Sequence, residues 1–256
     1  VSATDRRGSG ELAGKRVLIT GASRGIGAAT AIACAQAGAA TVALLARTQE
    51  HVDRIARAVE QAGSIAVGRV CDVTHTAELQ HAIESLGSID VLVNCAGGNQ
   101  PEPFLSVDEE TLEQLWALNV RATFFASQAV AGRMVADHIR GTIVNVSSQM
   151  GHVGASNRTG YCTTKHAIEG FTKALAVELG AHGIRVVSIA PTFVRTDMTA
   201  AQLDDPTIGG EFLKQIPLGR FGTPEDVAQA IVFVASDRAA LITGSSVRLD
   251  GGWTAR

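Results

Sequence analysis

Short apolar, β-branched runs alternate along the chain with longer segments of helical periodicity. Lys15–Thr20, Thr41–Ala46, Ile65–Cys71, Ile89–Asn94, Thr142–Ser147, Ile184–Ala190 and Ser246–Leu249 read as strands. Gly25–Ala37, about 48–62, about 75–86, about 108–138, about 159–180 and Pro224–Ser236 read as helices. Pro224 suits a first helical turn, with Thr223 as its N-cap. Strands that are apolar throughout are buried on both faces, as in a parallel sheet. Strict β-α alternation then predicts a doubly wound α/β fold: a parallel seven-stranded sheet with right-handed crossovers and helices on both faces. No repeat or interdomain linker interrupts the pattern. Residues 1–11 read as a flexible N-terminal arm and 12–256 as a single domain. The least regular stretch, 191–223, is the candidate for a mobile lid.

Composition narrows the function classes. With 46% hydrophobic and 18% charged residues, the 256-residue chain has material for a sizeable core. A net charge of −3 without basic patches argues against nucleic acid as a partner. No apolar run is long enough to span a membrane, and Val1–Gly10 lacks the apolar segment of a signal peptide. Cys34, Cys71, Cys95 and Cys162 form no CxxC pair and have no metal-binding spacing, so no metal site is expected. They read as free thiols of a reducing, cytoplasmic compartment, with Cys162 either packed or oxidation-sensitive.

The first strand runs into Thr20-Gly21-Ala22-Ser23-Arg24-Gly25-Ile26-Gly27 and then a helix. Glycines at such a turn let the backbone approach a phosphate, which the helix N-terminus attracts. The spacing is GxxxGxG, and the position directly after a strand favours a nucleotide over a plain tight turn. The second strand ends in Leu44-Leu45-Ala46-Arg47, with no carboxylate to take a ribose 2′-hydroxyl. Arg47, helped by Arg24, is placed to take a 2′-phosphate, which favours NADP(H) over NAD(H). Glu50 remains available for a 2′-hydroxyl, which keeps NAD(H) open.

Tyr161 is the single tyrosine, and Lys165 follows at i+4 within a predicted helix. Both side chains therefore share one helix face. A fixed cation beside a phenol favours the phenolate and is expected to lower its pKa, making the pair a candidate general acid/base.

With these motifs together, the chain resembles the short-chain dehydrogenase/reductase superfamily over about residues 13–253. The resemblance rests on Thr20–Gly27, Asp72-Val73, Asn94-Cys95-Ala96-Gly97 and Asn119 in Leu118-Asn119-Val120. It continues through Ser147-Ser148, Tyr161/Lys165, Pro191 and Asp250-Gly251-Gly252. It implies a Rossmann fold and a carbonyl–alcohol oxidoreductase. By position it implies Tyr161 as general acid/base and Ser148 as hydrogen-bond partner of the substrate oxygen. Lys165 would hold the nicotinamide ribose and depress the Tyr161 pKa, and Asn119 would hold a water in a relay through Lys165. Further cofactor contacts would come from Gly21, Ser23, Arg24, Gly25, Ile26, Gly27, Arg47, Asp72, Val73, Ala96, Gly97, Pro191, Val194 and Thr196. Of these, Asp72 would face the adenine and Thr196 the carboxamide, while Asn94 would support the loop beside the cofactor. Two positions depart from the family pattern: Cys95 replaces a second Asn, and Thr192 replaces the Gly that usually follows the proline.

Around the catalytic positions stand Gln149, Met150, His152, Asn157 and Arg158. Gln149, His152 and Asn157 are the candidate substrate-pocket residues, able to hydrogen-bond a sugar, polyol or hydroxy acid; a surface-loop role for His152 stays open. The chain is also similar to 3-oxoacyl-carrier-protein reductases. Val177, however, stands where those have a basic residue, which weakens carrier docking and leaves a free small molecule as the preferred substrate. An NAD-dependent sugar or polyol dehydrogenase and a non-catalytic nucleotide-binding regulator are the competing readings. The long helices about 108–138 and 159–180, and a C-terminal end carrying an exposed Trp253, are expected to build a homotetramer.

Overall fold

A computed structural model describes residues 10–255 of the chain. Seven strands form one parallel sheet in the order β3-β2-β1-β4-β5-β6-β7. They are β1 (Arg16–Thr20), β2 (Thr41–Ala46), β3 (Ile65–Val70), β4 (Val91–Asn94), β5 (Thr142–Val146), β6 (Arg185–Pro191) and β7 (Ser246–Leu249). The main helices are α1 (Gly25–Gln36), α2 (Gln49–Gln61), α3 (Thr76–Glu84), α4 (Glu109–Trp116), α5 (Ala122–Ala136) and α6 (Thr159–Leu179). Two short helices, α7 (Ala200–Asp204) and α8 (Ile208–Lys214), precede α9 (Pro224–Ala235).

Each central strand is apolar throughout because both of its faces are covered. Val17, Ile19, Val42, Leu44, Val91 and Val93 point into a core beneath α1, α2 and α9. Their neighbours Leu18, Ala43, Leu45 and Leu92 point into a second core beneath α3, α5 and α6. A strand's period of two sorts the side chains this way, and each fully buried Leu or Ile contributes roughly 1.5–3 kcal/mol. Small residues on α1 (Gly27, Ala28, Ala31, Ala35) let that helix lie close to the sheet. The start of α9 is a capping box: the Thr223 side chain accepts from Asp226 N, and Asp226 accepts from Thr223 N.

The structure bears on four expectations. The helix expected over 108–138 is divided into α4 and α5 by a π-helical turn at Ala117–Arg121. Asn119 sits in that turn with its side chain bonded outside the helix, and Thr123 Oγ1 donates to its carbonyl at 3.1 Å. The irregular segment 191–223 contains α7 and α8, anchored by Phe193 stacked on Phe212 at 4.1 Å. Trp253 is half-buried against Phe193 rather than exposed. The arm expected over 1–11 falls mostly outside the described residues. Its last two residues, Gly10 and Glu11, pack on the domain: Glu11 pairs with Arg238 at 2.5 Å, and a Cβ on Gly10 would overlap the Ala37 carbonyl.

Candidate active site

Strand order reverses between β1 and β4: the chain leaves β1 towards α1 on one face of the sheet and β4 towards α5 on the other. Such a switch point opens a crevice outside the strand ends. Here it is a cavity of about 820 Å³ running from Arg47 and Asp72 at one end to Ser148, Arg158 and Tyr161 at the other.

The glycine loop forms one wall. Gly21 has φ +68°, and a Cβ there would come within 2.7 Å of Ala96 Cα. Gly27 packs so tightly that a Cβ would meet the Gly21 carbonyl at 2.2 Å. Helix α1 begins at Gly25 without a side-chain cap, so its first N–H groups face the cavity unclaimed by protein side chains. Thr20 Oγ1 accepts from the backbone N–H groups of Cys95 and Ala96, pinning the β4 loop against the glycine loop. Arg24 and Arg47 line the cavity, and among the described residues neither side chain is engaged in an ion pair or hydrogen bond. Glu50 does not line it. Asp72 Oδ1 accepts from Thr74 N and Oγ1 at 2.9 and 2.7 Å. Arg121, absent from the sequence-based set, is the last residue of the π turn; it also lines this end and donates to Thr74 O. These features fit a dinucleotide carrying phosphate on its adenosine ribose.

At the other end, Tyr161 and Lys165 stand on the first two turns of α6. Lys165 Nζ donates to Val146 O at 2.9 Å and lies 5.6 Å from the Tyr161 ring centre. Ser148, just beyond β5, shares a hydrogen bond with the Tyr161 phenol and accepts from Met150 N. Burial pushes the Tyr161 pKa up to about 12, with the Ser148 hydrogen bond opposing it. Burial also pulls Lys165 down to about 8. The Tyr161 pKa is therefore raised where a depression by Lys165 was expected: removal of the phenol from water outweighs the opposing Ser148 hydrogen bond and the Arg158 cation.

Asn119 is buried next to this pair but does not line the cavity. Its Oδ1 accepts from Gly98 N at 2.8 Å, and its Nδ2 donates to Gly98 O and Thr164 Oγ1, each at 3.0 Å. It clamps the β4 loop to α6. Asn94 likewise lies behind the wall, donating to Ser127 Oγ and Asn145 Oδ1. The expected cofactor residues Gly21, Ser23, Arg24, Gly25, Ile26, Gly27, Arg47, Asp72, Val73, Ala96, Gly97, Pro191, Val194 and Thr196 all line the cavity.

The substrate-pocket set is corrected at two of three positions. Gln149 lines the cavity, with a buried Oε1 that has no partner. His152 turns away: its Nε2 meets Ser246 Oγ at 2.9 Å and buried Glu169 at 3.4 Å. Asn157 is exposed, with φ +56°, and is spent on the turn before α6. Arg158 and Thr192 line the cavity instead. The side chain that replaces a glycine at Thr192 thus adds a hydroxyl to the wall, and that hydroxyl has no protein partner.

A family model described as enoyl-(acyl carrier protein) reductase matches residues 21–254. L-xylulose reductase of Bos taurus is 41% identical over 244 residues, covering 95% of this chain and 98% of that one. This chain belongs to the short-chain dehydrogenase/reductase superfamily. As a member it is an oxidoreductase of the CH–OH type. D-erythrulose reductase of Gallus gallus is 38% identical, over 94% of this chain and 96% of that one. A gluconate 5-dehydrogenase from Burkholderia cenocepacia, solved in complex with NADP and tartrate, superimposes with a TM-score of 0.91 at 31% identity over the full length of both chains.

The glycine wall makes one direct prediction. Gly21→Ala places a Cβ against Ala96 in a left-handed backbone conformation, and should cost about 2 kcal/mol or more of stability in urea denaturation. An unchanged midpoint would show that the loop relaxes freely.

Proposed function

We propose that this oxidoreductase uses NADP(H) to interconvert a carbonyl and a secondary alcohol on a small polyhydroxylated compound, a sugar or polyol, with Tyr161 as general acid/base. The observation that carries the reading is the half-buried Tyr161 phenol, hydrogen-bonded to Ser148 beside Lys165 at the end of a dinucleotide-sized cleft. When bound, the nicotinamide supplies or accepts the hydride. In reduction, negative charge develops on the substrate oxygen. Ser148 and Tyr161 hold that oxygen, and Tyr161 Oη delivers the proton. A phenol held protonated by burial is suited to the donor role. The Lys165 ammonium, held by Val146 O, supplies positive charge next to the reacting end. Asn119 fixes the β4 loop and α6 relative to one another, a positioning role.

Unpaired Arg24 and Arg47, together with Arg121, favour a 2′-phosphate over a bare 2′-hydroxyl. The sugar reductases among the relatives, and the unpartnered polar atoms of Gln149 and Thr192, support a hydroxylated substrate. A carrier-bound acyl chain is disfavoured by Val177, 83% exposed where docking needs a cation. A homotetramer is supported by apolar side chains left on α4, α5 and α6 (Trp116, Phe124, Val177) and by fully presented Leu241 near the C-terminal strand. The four free cysteines support a reducing, cytoplasmic setting. Among the described residues no helix is long and apolar enough to cross a membrane. Residues 12–256 are taken as a single domain on the continuity of the sheet.

Tyr161→Phe removes the proton donor and keeps the ring. It should lower turnover of L-xylulose or erythrulose with NADPH by at least about 10³-fold while NADPH binding is retained; substantial residual turnover would reject the role. Arg47→Asp should shift the NADPH:NADH ratio of kcat/KM towards NADH by about tenfold or more, and an unchanged ratio would remove Arg47 as the phosphate reader. Reduction requires Tyr161 as phenol and Lys165 as ammonium. With these groups at about 12 and about 8, reductive kcat/KM should be level on the acid side and fall as pH rises through about 8. A rate that rises through that range would contradict the assignment.

A further inference from the structure

Arg158 is the N-cap residue of α6, immediately before the turn that carries Tyr161. It lines the cavity, and the Arg158 and Tyr161 side chains are close enough for each charge to act on the other. Its position is held firmly. Asn157 takes a left-handed conformation, and its carbonyl accepts from Glu102 N at 3.0 Å and from Arg158 Nη1 at 3.2 Å. That carbonyl bond is the whole of the protein's claim on the guanidinium. Its Nε is buried without a partner, and among the described residues no carboxylate pairs with it. Glu102, whose backbone N–H meets the Asn157 carbonyl, neither lines the cavity nor forms an ion pair with Arg158, and its own Oε2 is buried without a partner.

A cation half-withdrawn from water with no counter-ion is costly in an isolated fold. Burial already pushes the Arg158 pKa down, so the site disfavours the charge it holds. Arginine does not escape by deprotonating. An anion arriving in the cavity removes that cost and gains charge-assisted hydrogen bonds, for which the planar guanidinium is well matched to carboxylate. Gln149 and Thr192 line the same cavity, and their Oε1 and Oγ1 atoms, both buried and unpartnered, match hydroxyl groups. The only carboxylates on the cavity wall are Asp72 at the adenosine end and Asp197, among the described residues.

We propose that Arg158 is a specificity residue that binds a carboxylate on the substrate, so that the preferred substrates are polyhydroxylated keto acids and their hydroxy-acid partners rather than neutral ketoses and polyols. The inference rests on the function proposed above and narrows its substrate class. A carboxylate held by Arg158 places one end of the substrate, and the carbonyl or alcohol carbon further along the chain meets Tyr161 and Ser148.

The test is NADP⁺-dependent oxidation of a configurational panel of aldonic acids alongside the alditols of the same chain length and configuration. It is run with the wild type, Arg158→Gln and Arg158→Lys. The wild type should favour the acid of a matched pair in kcat/KM by about ten- to a hundred-fold. Arg158→Gln should remove most of that ratio, chiefly through KM, and Arg158→Lys should restore part of it. An NADPH titration of each variant reports whether the nucleotide half of the cleft is intact. Turnover of alditols as good as that of acids, or an acid:alditol ratio unchanged in Arg158→Gln, overturns the proposal and leaves the oxidoreductase reading standing. Absence of turnover on both panels, with ketoses also inert, overturns that reading and this inference with it.

Discussion

Everything in the cleft depends on holding a half-buried phenol beside a buried ammonium. Neither group is stable in a protein interior without partners, and the fold supplies them from separate elements. Ser148 comes from the end of β5 and Val146 O from the strand itself. The β4 loop is clamped to α6 through Asn119 and Gly98. The π-helical turn is part of this arrangement: it lets Asn119 direct its side chain out of the helix, at the cost of interrupting a long regular one. Burial then decides the chemistry. A phenol near 12 is a proton donor at rest, and an ammonium near 8 is sensitive to its surroundings in the range where enzymes work.

The cleft's charge runs against that of the whole molecule. The chain carries a net −3, yet among the described residues five cations line the cavity (Arg24, Arg47, Arg121, Arg158, Lys165) against two carboxylates, Asp72 and Asp197. Low-dielectric walls focus such a field into the crevice. Three of the arginines gather at the adenosine end, where a phosphate is expected. Arg158 stands apart at the reacting end, where the dinucleotide brings no phosphate, and this separation makes it informative about substrate.

The sheet was legible in the sequence because its signals are local and redundant. Apolar β-branched runs such as Thr41–Ala46 have one plausible fate, and β2 and β7 appear within the predicted bounds. The glycine loop and the Tyr161/Lys165 pair were legible for a similar reason, since each needs a fixed spacing. What stayed hidden depends on side-chain direction. His152 is a hydrogen-bonding residue at a suggestive position, but buried Glu169 and Ser246 draw it to the far side of the turn. Arg158 was one residue from the candidate Asn157, and only the left-handed turn shows which of the two faces the cavity. The Tyr161 pKa shift was misjudged in sign because a sequence reports the neighbouring cation but not the depth of burial. Helices α7 and α8 lack strong periodicity and take their order from the contacts of Phe193 with Phe212 and Trp253.

Because Tyr161 is the single tyrosine, its ionisation is readable directly by ultraviolet phenolate absorbance as pH is raised on the folded protein. If burial holds the phenol as described, almost no phenolate appears up to about pH 10, where an exposed tyrosine is half-ionised. A phenolate signal that rises between about pH 7 and 9 in the folded protein would contradict the account, placing the residue at rest as a base rather than as a held proton donor.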